Sequence, residues 1–226
     1  MFYLIYFIII ALIPIWAQMK VKGTYSKYSR VNSAAYLRGA EVARQILNEN
    51  GLYNVGVEEV RGYLSDHYDP RTKTVRLSSQ NYHSNSIAAA AVAAHECGHA
   101  IQDAESYAFL RFRHALVPVA NFGSNASWIL IMIGIFAQLS GLLLLGIILM
   151  AAAVLFQIVT LPVEYNASNR AMKQVLSLGL IDQRQRPEAK KVLNAAALTY
   201  VAAAAVAVLE LLRLVLIFTG MNRNDD

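Results

Sequence analysis

Three residues near the middle of the chain have the types and the spacing needed for metal-dependent hydrolysis. His95 and His99 are four residues apart, so on an α-helix both imidazoles project from one face and can bind the same cation. Glu96 lies about 100° round the helix from His95, at the edge of that face. A carboxylate there is expected to contact a metal-coordinated water without being a ligand, as in the HExxH zinc hydrolases.

The residues around this HECGH motif predict a helix. Ser84 and Ser86 supply N-cap oxygens, and residues 87–94 are almost all alanine, the best helix former. Gly98 lowers helix propensity by about 1 kcal/mol relative to alanine, but its missing side chain would let another element approach closely. Cys97 points away from the two histidines, so we expect it to be a small buried apolar residue and not a ligand.

The composition indicates a membrane protein. Hydrophobic residues make up 56% of the chain and charged residues only 15%, and the mean hydropathy of +0.38 is too high for an ordinary soluble domain. The lipid bilayer is therefore an expected partner. The net charge of +5 does not indicate a nucleic-acid partner, because the Lys and Arg residues are distributed by membrane topology and form no platform with aromatic residues.

Both ends of the chain contain apolar segments. Residues 1–19 are uncharged and rich in Ile, Leu and aromatics. They predict an uncleaved N-terminal membrane anchor, because no basic start and no clear cleavage site are present. Residues 193–226 predict a further transmembrane helix and a short tail, in which Glu210 and Arg213 are three residues apart and can pair.

The central apolar segment predicts a helical hairpin. Residues 115–163 include no Asp, Glu, Lys or Arg, and as one straight helix they would be about 73 Å long, against roughly 30 Å of hydrocarbon. The chain must therefore fold back, and the best turn lies near residues 138–141. Pro118 and Pro162 are expected near the ends of the hairpin, where a helix can break.

The polar residues 20–114 predict a small α+β zincin-like part. Residues 31–50 have helical spacing, and residues 55–60 and 72–77 have the composition of two short strands. A turn at Asp69–Pro70 predicts that these strands form a β-hairpin. The second strand is then expected to be an open edge, on which an extended peptide substrate adds as one more strand.

The distribution of positive charge predicts the topology. If residues 18–114 and 164–192 share one side of the membrane, that side holds 18 of the 20 Lys and Arg. The positive-inside rule then places this side in the cytoplasm. The fold class that follows is a mainly α membrane protein with about four transmembrane helices and a small cytoplasmic α+β part, to which residues 164–192 contribute a helix.

The hairpin topology predicts a third metal ligand. Catalytic zinc usually has three protein ligands and one open position, and two membrane crossings return the chain to the side that holds the histidines. Glu164 is the first charged residue after that return, so we expect it to complete a site for one Zn²⁺ per chain. Glu105 is expected to point away, and His67, His83 and His114 have no spacing that favours them.

Three stretches carry a resemblance to a known family: HECGHAIQ, SDHYDPRTKTVRLS and LPVEYNASNRA. Together they resemble the bacterial membrane-bound neutral zinc metallopeptidases of the YugP type, over nearly the whole chain, and more distantly the HtpX-type integral-membrane peptidases. The resemblance implies a gluzincin-like site with His95, His99 and Glu164 on zinc and Glu96 as the base. It also implies a multi-pass protein of the bacterial inner membrane.

One position departs from the HtpX-type pattern. Those peptidases carry an Asp four residues after the ligand Glu, where this chain has Ser168. The family pattern therefore does not identify which residue of this chain accepts a hydrogen bond from a zinc-binding histidine. Asp103, four residues after His99, is expected either to take that part or to be a solvated surface acid.

The expected function is that of a zinc-dependent endopeptidase acting on peptides or membrane proteins at the cytoplasmic face. His67, Tyr165 and Arg170 are candidates for stabilising the oxyanion. The alternative is a non-catalytic membrane scaffold or adaptor with structural zinc, which would require a closed set of four ligands, the fourth being His67 or Cys97. The sequence predicts neither the natural substrate nor the oligomeric state.

Overall fold

The computed structural model describes residues 2–222, and these are mainly helical with one small sheet. The helices are α1 (Phe2–Tyr28), α2 (Gly39–Glu49), α3 (Ser79–His83), α4 (Ile87–Ala104), α5 (Ala108–Phe136), α6 (Ser140–Ser177) and α7 (Arg186–Asn222). The strands are β1 (Gly56–Val60), β2 (His67–Asp69) and β3 (Thr74–Ser78). Within this range α1, α5, α6 and α7 are long and apolar enough to cross a membrane. The predicted fold class, a mainly α protein with four helices suited to a membrane and a small α+β part, is confirmed.

The chain divides into two compact units. The helical unit comprises α1 up to Ile15, residues Arg111–Pro162, and α7 from Tyr200 onward. The mixed unit comprises Trp16–Leu110 and Val163–Thr199, and it contains all three strands.

The helical unit contains the predicted hairpin, with α5 and α6 separated by residues 137–139. Gly134 and Gly123 allow the two helices to approach closely: a Cβ at Gly134 would lie 2.6 Å from the Leu143 nitrogen, and one at Gly123 would lie 2.9 Å from the Leu149 oxygen. Small residues are the usual means of close helix packing in a membrane.

The expectation that two prolines mark helix ends is wrong. Pro118 lies inside α5 and Pro162 inside α6. A proline removes one backbone hydrogen bond from a helix, whereas unwinding in hydrocarbon would leave several backbone groups without partners. Continuing the helix through the proline therefore leaves fewer backbone groups without a hydrogen bond than unwinding it would. As a result α6 extends without interruption from the hairpin to the residues that follow Pro162.

In the mixed unit, α2 packs against α4. Val42, Ile46 and Leu47 of α2 are fully buried against the alanine-rich face of α4. The helix begins at Gly39, later than the predicted residue 31, because the preceding residues are tied to the start of α4 by a bridge between Asn32 and Ser86.

The sheet has the order β1-β3-β2. The predicted hairpin between the first and third strands is wrong, because β1 and β3 are parallel, with Gly56 opposite Thr74. The hairpin instead joins β2 and β3 around the predicted turn, where Asp69 accepts hydrogen bonds from the Arg71 amide and the Thr72 hydroxyl. The predicted open edge at residues 72–77 is also wrong, since β3 is the central strand and the edges are β1 and β2.

Residues 164–192 form parts of two helices instead of one. They comprise the end of α6, a loop and the start of α7. Gln185 holds the loop in place: its Oε1 accepts a hydrogen bond from the Ala34 amide at 2.9 Å, and its Nε2 donates to the Asn32 carbonyl at 2.9 Å. Farther along α7, Arg213 forms the predicted ion pair with Glu210 at 2.7 Å.

Candidate metal centre

Helix α4 places the two motif histidines on one face. It begins at the predicted cap, where the Ser86 hydroxyl oxygen accepts a hydrogen bond from the Ala89 amide at 3.1 Å. The His95 and His99 rings are 4.8 Å apart between centroids and nearly perpendicular. Both rings therefore lie together, at the position that an i, i+4 pair on a helix predicts.

Glu164 of α6 meets this pair. Its Oε2 lies 3.2 Å from His95 Nε2 and 3.5 Å from His99 Nε2, and the three candidate ligand atoms all lie within 4.8 Å of one another. Two ligands of a tetrahedral zinc are about 3.3 Å apart, because each is roughly 2.0–2.1 Å from the metal. The types of the three donors and the two distances from Glu164 Oε2 therefore fit one zinc ion.

A glycine sets the distance between the two helices that carry these ligands. A Cβ at Gly98 would lie 2.6 Å from the Ala167 carbonyl oxygen, which is closer than real Cβ contacts allow. Only glycine therefore permits α4 and α6 to cross at this separation. The sequence-based expectation that Gly98 admits a neighbouring element is confirmed.

Gln102 orients His99, a role that the sequence analysis missed. Its Nε2 donates to the Val163 carbonyl and to Asn166 Oδ1, both at 2.9 Å, so its Oε1 is directed at His99 Nδ1 at 3.0 Å. An oxygen there can only accept, and therefore His99 carries its proton on Nδ1. The lone pair on Nε2 is left free for a metal. The i, i+3 spacing on α4 makes Gln102 a candidate for this contact, beside Asp103 at i, i+4.

Ser168 makes the corresponding contact with the other histidine. Its Oγ lies 3.1 Å from His95 Nδ1, and a hydroxyl can accept the imidazole N–H and leave Nε2 for the metal. The position that departs from the HtpX-type pattern thus still touches a candidate ligand.

The site is buried and electrostatically coupled. Glu164 and Glu96 are 2% and 7% exposed. Burial raises the pKa of Glu96, although His95 and His99 partly oppose the shift. For His99, burial disfavours the charged form, but the hydrogen bond to Glu164 and the nearby carboxylates outweigh burial and raise its pKa. Glu96 is therefore a buried carboxyl whose proton affinity is increased, as a general base requires.

Asp103, expected to be either the partner of a zinc histidine or a solvated surface acid, contacts Tyr68 and Lys73. Its Oδ2 accepts a hydrogen bond from the Tyr68 hydroxyl at 2.8 Å and pairs with Lys73 at 2.6 Å. These contacts connect α4 to β2 and to the turn before β3. Glu105 also lies outside the cluster, paired with Arg170 at 2.7 Å.

The other candidate ligands lie elsewhere. His67 Nδ1 is 2.8 Å from the Ser65 carbonyl oxygen, and His83 pairs with Glu59. Cys97 is buried as expected, and its thiol donates to the Ala43 carbonyl. Across residues 2–222 no fourth His, Cys, Asp or Glu joins the three candidate ligands, and His114 is not among them. A set of three is typical of catalytic zinc and not of structural zinc.

The three oxyanion candidates are not brought together. Arg170 is engaged by Asn166 Oδ1 at 2.7 Å as well as by Glu105. The Tyr165 ring is exposed, and His67 lies on the edge strand β2. Stabilisation of the oxyanion by one of them stays a prediction.

Comparison with known proteins agrees with this geometry. A family described as "Putative neutral zinc metallopeptidase" matches residues 3–219. The chain belongs to this family. It is also 52% identical over 211 residues, covering 93% of each chain, to a Bacillus subtilis (strain 168) protein named "Putative membrane protease YugP". No solved structure matches. Family membership and four long apolar helices together make the chain a multi-pass membrane protein of the zinc metallopeptidase type.

Proposed function

We propose that this chain is a zinc-dependent endopeptidase that hydrolyses peptide bonds of peptides or membrane proteins at the cytoplasmic face of the bacterial inner membrane. The observation that carries the proposal is the meeting of His95 Nε2, His99 Nε2 and Glu164 Oε2 beside a buried Glu96. Family membership supports the peptidase class.

His95, His99 and Glu164 would hold one Zn²⁺, with the Nδ1 protons of both histidines accepted by Gln102 and Ser168. Zinc, when bound, supplies a Lewis acid that acidifies a coordinated water and polarises the scissile carbonyl. Glu96 accepts a proton from the attacking water and passes it to the leaving amine. The low polarity around Glu96, which raises its pKa, makes it a stronger base for the first of these transfers.

An extended substrate would bind along the outer edge of β2. This strand is an edge of the sheet, and Tyr68 within it is hydrogen-bonded to Asp103 at the end of α4. An edge strand offers unpaired backbone groups to a peptide. The cytoplasmic placement rests on the concentration of 18 of the 20 Lys and Arg residues in 18–114 and 164–192.

The decisive variant is Glu96→Gln. We expect the purified variant to retain about one zinc per chain and to lose cleavage of an unfolded membrane protein by at least about 10²-fold, because the proton acceptor is absent. The zinc content is measured by elemental mass spectrometry, and cleavage is measured by gel electrophoresis. Glu49→Gln, which neutralises an exposed carboxylate on α2, is the matched control and is expected to behave as wild type.

The same pair separates the enzyme from a scaffold. Zinc binding without any cleavage, in both the wild type and the Glu49→Gln control, would favour the scaffold. Cleavage by the Glu96→Gln variant at the wild-type rate would show that Glu96 is not the base.

A further inference from the structure

An open groove of about 610 Å³ lies between α1 and α7 within the mixed unit. From α1 it is lined by residues spaced i, i+3 and i+7, namely Lys20, Gly23 and Lys27. From α7 it is lined by residues with the same spacing, namely Lys191, Asn194 and Leu198. One face of each helix therefore forms one wall. The volume lies within the range of about 300–1,000 Å³ that is usual for ligand sites.

The three lysines give the groove an uncompensated positive charge. Over the part of the chain that the structure describes, none of Lys20, Lys27 and Lys191 forms an ion pair. No Asp or Glu lines the groove. Three lysines that line one groove without an acidic counter-charge favour an anion with several oxygen acceptors, such as a phosphate group.

The groove also has an apolar side. Met19 and Leu198 line it together with the lysines, and Met19 is 68% exposed. Along α1 the lysines follow directly after the uncharged residues 2–19, which places them where that helix leaves its apolar stretch. A ligand that fits must therefore combine an anionic head with an apolar tail.

We propose that this groove binds the head group of an anionic phospholipid, such as phosphatidylglycerol, with its acyl chains along Met19 and Leu198. Basic recesses between membrane helices are known to hold such head groups. Free phosphate would use the lysines but not the apolar side, and an acidic peptide would lack the alignment with the membrane-crossing part of α1. The bound lipid would fix α1 against the start of α7.

Trp16 provides a local reporter. It lies on α1 four residues before Lys20, on the same face, and its side chain is exposed. The chain has two tryptophans, so Trp128→Phe leaves Trp16 as the only source of tryptophan fluorescence. The full chain is reconstituted into phosphatidylcholine vesicles that contain brominated phosphatidylglycerol or brominated phosphatidylcholine, and quenching gives the relative binding constant of the two lipids.

We expect about a tenfold preference for phosphatidylglycerol with the groove intact. Replacing Lys20, Lys27 and Lys191 by Gln should abolish the preference, so that the ratio of the two binding constants falls to about 1. The matched control replaces Lys22, Arg30 and Lys190 by Gln, which removes the same charge from exposed positions on α1, in the turn after α1 and on α7, all outside the groove. It should keep at least half of the preference.

A second variant keeps every charge. Gly23 lines the groove, and a Cβ there would meet nothing within 4 Å, so Gly23→Phe should fill the space, fold normally and lower the preference at least threefold. This variant carries the test if the triple lysine variant does not fold.

Four results would overturn the proposal. Equal quenching by the two lipids in wild type would exclude a selective site. Equal losses in both triple variants would mean general attraction to a charged surface. Loss of the preference on adding 10 mM inorganic phosphate would identify free phosphate as the ligand, and loss on adding poly-glutamate at low micromolar concentration would identify an acidic peptide.

Discussion

The two units of this chain bury their apolar side chains to very different extents. In the mixed unit the core is a continuous cluster rich in alanine, valine and leucine, centred on α2 and α4. In the helical unit the buried cluster consists of Ile131, Leu143, Ile147 and Leu214, while side chains such as Phe122 and Phe136 are 70% and 79% exposed. The mixed unit thus buries its apolar side chains in a core, whereas the helical unit exposes large apolar side chains, as is typical of helices that face lipid.

The difference determines what stabilises each unit. Lipid tails are as apolar as a leucine side chain, so burial gains little in the helical unit, and close packing through glycines matters more. In water the hydrophobic effect drives burial. A core that excludes water strengthens electrostatic interactions and can hold polar groups whose hydrogen bonds are satisfied. Glu164 and Gln102 are such groups, and the candidate metal centre lies in the mixed unit.

The largest expected effect comes from the glycine that separates α4 from α6. Gly98→Ala forces the added methyl group against the Ala167 carbonyl oxygen, 2.6 Å away, so a backbone must move. Distances from zinc to its ligands stay within about 0.2 Å of their usual values, so a shift between these helices disturbs the site. We expect the variant to lose at least about 90% of its zinc, measured on purified protein, and its cleavage activity with it.

The matched variant in the helical unit is Gly123→Ala, whose methyl group would lie 2.9 Å from the Leu149 carbonyl oxygen. It creates a similar clash outside the mixed unit, so we expect a lower melting temperature with unchanged zinc content. Equal zinc loss in both variants would mean that general destabilisation, and not the spacing of the ligands, empties the site.

Truncating one apolar side chain in each unit tests the difference in burial directly. Ile46→Ala in the mixed unit removes a fully buried side chain, and we expect the free energy of unfolding to fall by about 2–5 kcal/mol. Phe136→Ala removes a larger but mostly exposed side chain, and we expect a change within about 0.5 kcal/mol. Denaturant unfolding in detergent micelles measures both. Similar losses would contradict the assignment of the helical unit to lipid.

Removing the partner of a candidate ligand should have a smaller effect than moving a helix. Gln102→Leu deprives His99 Nδ1 of its acceptor, and losing such a partner typically weakens metal affinity about 10–100-fold. Competition with a zinc chelator gives the dissociation constant. Gln45→Leu, at an exposed position of α2, is the control and should leave it unchanged. Unchanged affinity in Gln102→Leu would mean that its hydrogen bond does not orient His99.

Local spacing and segment length account for the part of the fold that could be predicted. The alanine-rich run and Ser86 predict α4, and an uncharged stretch too long for one crossing predicts the hairpin between α5 and α6. That hairpin is also why Glu164, far from the histidines in sequence, could be proposed beside them. These inferences needed only the periodicity of a helix and the thickness of a bilayer.

Contacts that depend on tertiary structure could not be predicted in the same way. The parallel pairing of β1 with β3 joins strands whose connection contains β2, and no residue type within such short strands specifies the partner. Asp103 and Gln102 both follow His99 by about one turn. Gln102 is the one whose oxygen lies 3.0 Å from His99 Nδ1. Asp103 is instead bound by Lys73 and Tyr68, whose positions depend on the sheet.

The smallest expected effect concerns the thiol inside the mixed unit. Burial raises the pKa of Cys97, and α2 covers its sulfur, which donates to the Ala43 carbonyl. Because the thiolate is the reactive form, native protein at pH 8 should show almost no reaction with a disulfide reagent over an hour, and one thiol per chain should react after unfolding in guanidinium. Tyr53→Cys places a second thiol at an exposed position of the same unit and should add one fast-reacting group. Fast reaction of Cys97 in native protein would mean that α2 opens away from α4, and the helix carrying the histidines would then lack the rigid support that a preformed metal site requires.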